Sequence, residues 1–299
     1  MTSRVSLHAA LADRLGSANE ARWMLEEVLG TDADGDDDDA EADEDALRAL
    51  SDMADRRLSG EPFQYVLGSW QFRTVELSVD PRALIPRPET EQVVELAIAE
   101  ARRQLATASI TEPGAPFLVA DLGTGSGAIA LSIAVELGAD RPRLRVAATD
   151  VDASAIGLAA VNRDRLSAGH PHVAEQVDLR EGSWFDALPA EWRGGVHLVV
   201  SNPPYVSEDE WATLDPQVRC EPYGALVAAP GSDGAPGFAA AETVLTSARE
   251  WLAPGGAVVV EMAPHQTGAA RELATRAGYA EVRVERDLAG RQRALVARR

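Results

Sequence analysis

Residues 117 to 137 carry a pattern that leaves few architectures open. Phe117-Leu118-Val119-Ala120-Asp121 is a short apolar run of strand type, and Leu122 leads it into Gly123-Thr124-Gly125-Ser126-Gly127. A helical spacing of apolar residues starts at once with Ala128, Ile129, Leu131, Ile133, Ala134 and Leu137. A strand, a glycine turn and a helix N-terminus make a place where the main chain can approach a ligand closely. The spacing is G-x-G-x-G and not the G-x-G-x-x-G of dinucleotide folds, which disfavours a pyrophosphate cradle. A ligand with a carboxylate and a nucleoside but no phosphate fits as well. The alternation then continues to the end of the chain. Strands are expected at 117–121, 145–149, 176–180, 196–201, 257–261, 281–286 and 292–297, with helices between the first six and a helix stop and tight turn at Pro254-Gly255-Gly256. Only Asp287 to Arg291 separate the last two strands, too little for a crossover helix, so those two must be antiparallel neighbours in a mostly parallel sheet.

Ligands of such sheets bind beyond the carboxyl ends of the strands. Four groups of residues fall there. Gly123 to Gly127 follow the first strand. Asp150 ends the second, about 20 residues past the glycine turn, where an acid commonly accepts the hydroxyls of a ribose. Asp150 and Asp152 are equally able to cap the helix that starts near Ala153; the ligand role is assigned to Asp150 and the cap to Asp152. Trp184 follows the third strand and either flanks a planar base or packs into the core. Asn202-Pro203-Pro204-Tyr205 follows the fourth strand, Val196 to Ser201. Proline fixes φ and lacks an N–H, so this turn holds the Asn202 amide oxygen and a main-chain carbonyl as a rigid acceptor pair beside a phenol ring. Two acceptors suit a planar –NH2 group, whose hydrogens they hold while its lone pair is kept out of conjugation. The plainer alternative is a proline-terminated strand entering a loop.

Upstream, apolar stripes at Val5, Leu7, Leu11 and Leu15, at Ala21, Met24, Leu25 and Val28, and from Ala46 to Leu58 predict a small helical bundle over 1–61. Its role is either structural or in binding. Between the stripes, a loop over 31–45 holds ten acidic residues and no basic one, and a solvated loop is expected there. Residues 62–88 read as a β-hairpin linker followed by a rigid proline segment from Pro81 to Pro88, and the large domain spans 89–299. The net charge of −20 gives no basic footprint for a phosphate backbone, so direct nucleic-acid binding is not expected. The single cysteine, Cys220, excludes an internal disulfide framework and a cysteine-based zinc cluster, and fits a reducing cytoplasm. His170-Pro171-His172 reads as a solvated turn, and no metal is expected. Neither a membrane span nor an apolar leader is visible. Nothing in the sequence bears on the oligomeric state.

The chain from about Gly60 onward resembles the HemK/PrmC family of peptide chain release factor N5-glutamine methyltransferases. The resemblance is carried by Gly60-Glu61-Pro62-Phe63-Gln64-Tyr65, by Ile85-Pro86-Arg87-Pro88-Glu89-Thr90-Glu91, by Asp121 to Gly127, by Asn202 to Tyr205, and by Arg219-Cys220-Glu221-Pro222 leading to Ala225-Leu226-Val227. Cys220 departs from the pattern, since a bulkier residue, often His, is expected before Glu221-Pro222. The resemblance implies an α/β fold, a seven-stranded mostly parallel Rossmann-like class I methyltransferase sheet with one reversed strand, joined by a β-hairpin to a small N-terminal helical domain. It implies S-adenosyl-L-methionine as cofactor, bound by Gly123, Thr124, Gly125, Ser126, Gly127, Asp150, Trp184 and Asn202. It also implies that Asn202, Pro203, Pro204 and Tyr205 hold the amide of the Gly-Gly-Gln glutamine in class I peptide chain release factors. Phe72, Arg87 and Glu89 are then expected as substrate contacts; the alternative for Arg87 and Glu89 is an ion pair and helix N-terminal chemistry. Two rival functions remain: an adenine-N6 or guanine-N2 nucleic-acid methyltransferase, and a non-catalytic adaptor that binds a translation factor.

Overall fold

The computed structural model describes residues 2–30, 41–106, 115–141 and 143–299. The chain divides into two compact units, one of residues 1–70 with 215–220 and one of 71–214 with 221–299. No helix of the described residues is long and apolar enough to cross a membrane.

In the first unit, β1 (Thr2–Ser3) pairs antiparallel with β2 (Glu41–Ala42), and the helices are α1 (Arg4–Leu15), α2 (Ala18–Leu29), α3 (Glu44–Leu58) and α4 (Phe63–Leu67). Ser3, Ser17 and Asp43 cap the first three by accepting from main-chain N–H groups three residues on, the strongest contact being Asp43 Oδ1 with Ala46 N at 2.8 Å. The expected stripes supply the core through Leu11, Ala21, Met24, Leu25, Leu50, Met53 and Ala54, whereas Val5, Leu47 and Leu58 stay exposed. Two expectations change. Residues 31–40 of the acidic loop lie outside the described residues, but its end is ordered: Glu41 and Ala42 are in β2, Asp43 caps α3, and Glu44 and Asp45 start it. Acids at a helix N-terminus meet unpaired N–H groups and the positive end of the dipole, so charge there promotes helix. Residues 63–67 are helix and not the first arm of a hairpin, because Phe63 and Val66 lie one helical turn apart and reach the bundle core together.

In the second unit, β3 (Ser69–Phe72, which straddles the division) forms a two-stranded sheet with β4 (Val75–Ser78). The chain continues through α5 (Pro88–Ala106), β5 (Phe117–Leu122), α6 (Ala128–Gly138), β6 (Leu144–Asp150), α7 (Ala153–Ser167), α8 (His172–Gln176), β7 (Val177–Glu181) and β8 (Val196–Ser201). It ends with α9 (Glu208–Trp211), α10 (Tyr223–Leu226), α11 (Ala239–Trp251), β9 (Leu252–Glu261), α12 (Thr267–Arg276), β10 (Glu281–Arg286) and β11 (Gln292–Arg298). The seven-stranded sheet runs β10-β11-β9-β8-β5-β6-β7, with β11 antiparallel to both of its neighbours and the remaining pairs parallel. Alternate residues feed two cores. Val119, Leu198, Val200 and Val259 face α5 and α6 on one side; Ala120, Leu122, Val199, Val258 and Val260 join the α11 and α12 side on the other.

Three local expectations are corrected. Between β7 and β8 the chain makes two 3-10 turns, Trp184–Ala187 and Ala190–Trp192, and no α-helix. Pro189 and the Gly194-Gly195 pair leave no uninterrupted stretch for one. The pairing of β8 with β9 jumps from Val196↔Leu252 to Leu198↔Ala257, so the Pro254-Gly255-Gly256 turn is a bulge inside β9. His172 opens α8 and sets Nε2 3.2 Å from the Ala134 carbonyl, so it belongs to a helix packed on α6.

Candidate active site

At the carboxyl ends of β5, β6, β7 and β8 lies a cavity of about 320 Å³. That is enough for a nucleoside-sized ligand. Its floor is the turn after β5, where Gly123, Thr124, Gly125 and Ser126 all line it. Gly125 has a φ of 55°, in the left-handed region that L side chains rarely occupy. Its N–H donates to Asp150 Oδ2 at 2.9 Å, and the other oxygen of Asp150 accepts from Asp152 N at 3.0 Å. Asp150 lines the cavity as well, with lone pairs left for hydroxyls, and burial raises its pKa above the usual carboxylate range. Asp152 caps α7 through Ser154 N at 2.8 Å, as its position implied.

Gly127, expected among the ligand contacts, does not line the cavity. It is the first residue before α6, with a φ of 86°, and a Cβ there would meet Leu131 Cδ1 at 2.8 Å. Its glycine is required by that left-handed main chain, with the crowding against Leu131 adding to it. Trp184 does both things the sequence allowed: it lines the cavity and packs against the core under β8 and β9. Its φ of 45° is unusual for a large residue, and the main chain is held there by Thr149 Oγ1, which donates to the Trp184 carbonyl at 3.2 Å.

Asn202 and Pro204, after β8, also line the cavity. Pro203 is buried and Tyr205 half-buried, and neither lines the cavity. Asn202 Nδ2 donates to Thr90 Oγ1 at 3.1 Å, and Thr90 Oγ1 donates to Glu261 Oε2 at 2.7 Å. The Tyr205 hydroxyl reaches the other oxygen of Glu261 at 3.4 Å. Glu261 is fully buried at the end of β9, and burial pushes its carboxyl up to about 7. Burial and the same carboxylate both raise the Tyr205 phenol, which therefore stays protonated.

The residues expected to touch substrate divide. Phe72 is 1% exposed and sits in the core with Val75, Leu77 and Ile98, so it offers no surface to a substrate. Its place in a two-stranded sheet turns it inward. Arg87 pairs with Glu221, whose other oxygen accepts from Ile85 N at 2.9 Å. Glu221 is 4% exposed, and burial raises its pKa against the pull of Arg87. This contact ties the proline segment to Pro222, and Pro86, Pro222, Gly224 and Ala225 then form the cavity wall. Glu89, in the first turn of α5, pairs with Arg291 at 2.8 Å. Thr90, Glu221 and Glu261 were not singled out from the sequence. Thr90 and Glu221 lie inside motifs that were, and Glu261 is an acid closing an apolar strand, a placement that itself calls for a partner. Asp121 was also passed over. It is fully buried, accepts from Thr124 Oγ1 at 2.6 Å and from Ala130 N at 3.1 Å, and burial pushes it up to about 7.

Residues 7–68 match the model of the PrmC N-terminal domain, and residues 97–215 match that of the methyltransferase small domain. The chain is 40% identical over 279 residues to a curated release factor glutamine methyltransferase of Bordetella pertussis, covering 92% of each. It is 37% identical to the protein of that name in Deinococcus radiodurans, covering 94% of this chain and 90% of that one. A Xylella fastidiosa relative of the same name is 36% identical over 100% of this chain and 98% of its own. Among solved structures, a Thermus thermophilus 16S rRNA N2 G1207 methyltransferase in complex with AdoMet and guanosine superposes with a TM-score of 0.50 at 16% identity. It covers 77% of this chain and 49% of its own, a likeness of fold alone.

Proposed function

The chain belongs to the release factor glutamine methyltransferases, and we propose that it methylates the N5 side-chain amide of the glutamine in the Gly-Gly-Gln loop of class I peptide chain release factors. S-adenosyl-L-methionine fits the cavity and, when bound, supplies a methyl group on a positively charged sulfur. The fit rests on a glycine turn that leaves room for a ligand against the main chain, on the paired hydroxyl acceptors of Asp150, and on the apolar faces of Trp184 and Ile129.

An amide nitrogen is not basic, and removing its proton at neutral pH is too costly, so the protein must act by position and polarisation. Asn202 Oδ1 and the Pro203 carbonyl accept the two hydrogens of the substrate amide. Held so, the nitrogen lone pair leaves conjugation and faces the cavity. Pro204 keeps the turn rigid, and Tyr205, with its hydroxyl tied to Glu261, closes the side of the amide. The observation that carries this reading is the commitment of Asn202 Nδ2 to Thr90, which leaves Oδ1 to accept at a residue that lines the cavity. A net charge of −20 disfavours the nucleic-acid alternative.

Mass spectrometry of a purified class I release factor, incubated with the protein and S-adenosyl-L-methionine, tests the proposal. The added mass of one methyl on the loop glutamine is the expected result. Labelled methyl in bulk RNA or DNA and none on the release factor would overturn it.

A further inference from the structure

A primary carboxamide can be turned over in its site with little change in shape, and a flipped Asn202 would present a donor to a substrate that itself brings two donors. Something must hold the amide one way round. The proline turn cannot, because it fixes the main chain and leaves the last torsion of Asn202 free. The groups that can do so are Thr90 and Glu261. The single Thr90 hydroxyl proton goes to Glu261 Oε2 at 2.7 Å, an oxygen that can only accept whenever it carries no proton of its own. Thr90 Oγ1 is left with lone pairs, and what faces it from Asn202 at 3.1 Å must be the –NH2 group. Thr90 and Glu261 are 4% and 0% exposed, so no bulk water competes for these bonds.

We propose that Thr90 and Glu261 are positioning residues that fix the Asn202 carboxamide with Oδ1 toward the cavity, so that the site accepts hydrogens from a substrate amide and does not donate to it. The inference rests on the amide-methylating reading of the same site. Glu261 lies 171 residues from Thr90 in sequence and also receives the Tyr205 hydroxyl at 3.4 Å, so a single buried carboxylate holds both outer members of the Asn-Pro-Pro-Tyr turn.

The test pairs kinetics with a readout that needs no substrate. Thr90→Val removes the hydroxyl at nearly constant volume; Thr90→Ser keeps it. Thr90→Val should lower kcat for release-factor methylation on the order of 10- to 100-fold, with KM and the cofactor dissociation constant changed by less than about twofold. Thr90→Ser should restore kcat to within about threefold of the parent. In parallel, 15N-resolved NMR of the side-chain amide of Asn202, assigned by the signal lost in Asn202→Asp, should show slow hydrogen exchange in the parent and in Thr90→Ser. Fast exchange is expected in Thr90→Val. Parent-like kcat in Thr90→Val overturns the proposal, and so does free exchange of the Asn202 amide in the folded parent, which needs no variant at all. If the parent methylates no release factor yet the protection depends on Thr90, the substrate reading fails and the positioning roles stand.

Discussion

Gly125 donates its main-chain N–H to Asp150 Oδ2 at 2.9 Å, so the glycine turn after β5 and the end of β6 form one unit. The carboxylate proposed to receive the cofactor hydroxyls is thus bonded to the turn proposed to receive the rest of the cofactor. Asp150→Ala removes both effects. The cofactor dissociation constant, read by calorimetry, should rise by roughly 10- to 100-fold, the worth of one or two charged hydrogen bonds. At saturating cofactor, kcat should change far less, because the methyl acceptor is held elsewhere. Equal affinity in the variant would remove Asp150 from the binding site.

Asn202→Ala should show the opposite signature. Transfer to the release factor falls on the order of 100-fold or more, as when one preorganised polar group is lost from a site that works by charge placement. Cofactor affinity should stay within a few-fold of the parent. Retention of full activity in a single-turnover assay would rule out Asn202 as the amide acceptor.

The Arg87–Glu221 contact is expected to act on stability and on the cavity wall together. Arg87→Ala leaves a buried carboxylate with only the Ile85 N–H as partner, and denaturant unfolding should report a loss of about 3 kcal/mol. Arg87→Ala with Glu221→Gln should recover part of that loss, since a neutral amide tolerates burial far better than an unpaired charge. If Arg87 served only a substrate, stability would not change.

Asp121 and Glu261 make the folded protein hold protons that the unfolded chain releases. Each has a folded pKa raised to about 7, from ordinary values of 3.8 and 4.5. A raised carboxyl stabilises the fold fully below its unfolded pKa, and that contribution is lost as pH rises toward 7. Between pH 5 and 7, each should lower stability by up to roughly 1.4 kcal/mol per pH unit. Urea midpoints across that range check the sign, and Glu261→Gln should flatten the slope. A midpoint that climbs steadily from pH 5 to 7 would contradict both burials.

Glu100 should behave in the reverse sense. Burial disfavours its charge, but Arg298 and Arg103 outweigh that and hold its pKa down to about 2, with Arg283 also bonded at 2.9 Å. Its contribution is present above the unfolded value near 4.5 and disappears as pH falls toward 2. Glu100→Gln should cost about 3 kcal/mol at neutral pH and little at pH 2, read by thermal unfolding at both.

Local chemistry wrote most of this protein openly. Val196 to Ser201 reads as a buried strand because its apolar residues are continuous, and the strand has those bounds. Gly123 to Ser126 and Asp150 were visible as cavity residues because a glycine turn and an acid at a strand end are each defined within a few positions. The antiparallel last pair followed from a connection too short to cross the sheet. Where alternatives stood, neighbours in sequence could not choose between them. Phe63 and Val66 fit a strand or a helical turn, and only the bundle core selected the turn. Phe72 looked available and is buried, because its surroundings come from α5 and β5. Thr90 with Glu261, and Arg87 with Glu221, are pairs 171 and 134 residues apart. A chain lists its donors and acceptors in order along one dimension, but a buried proton goes to whichever acceptor the fold brings within 3 Å, and that choice is made only when the sheet has closed.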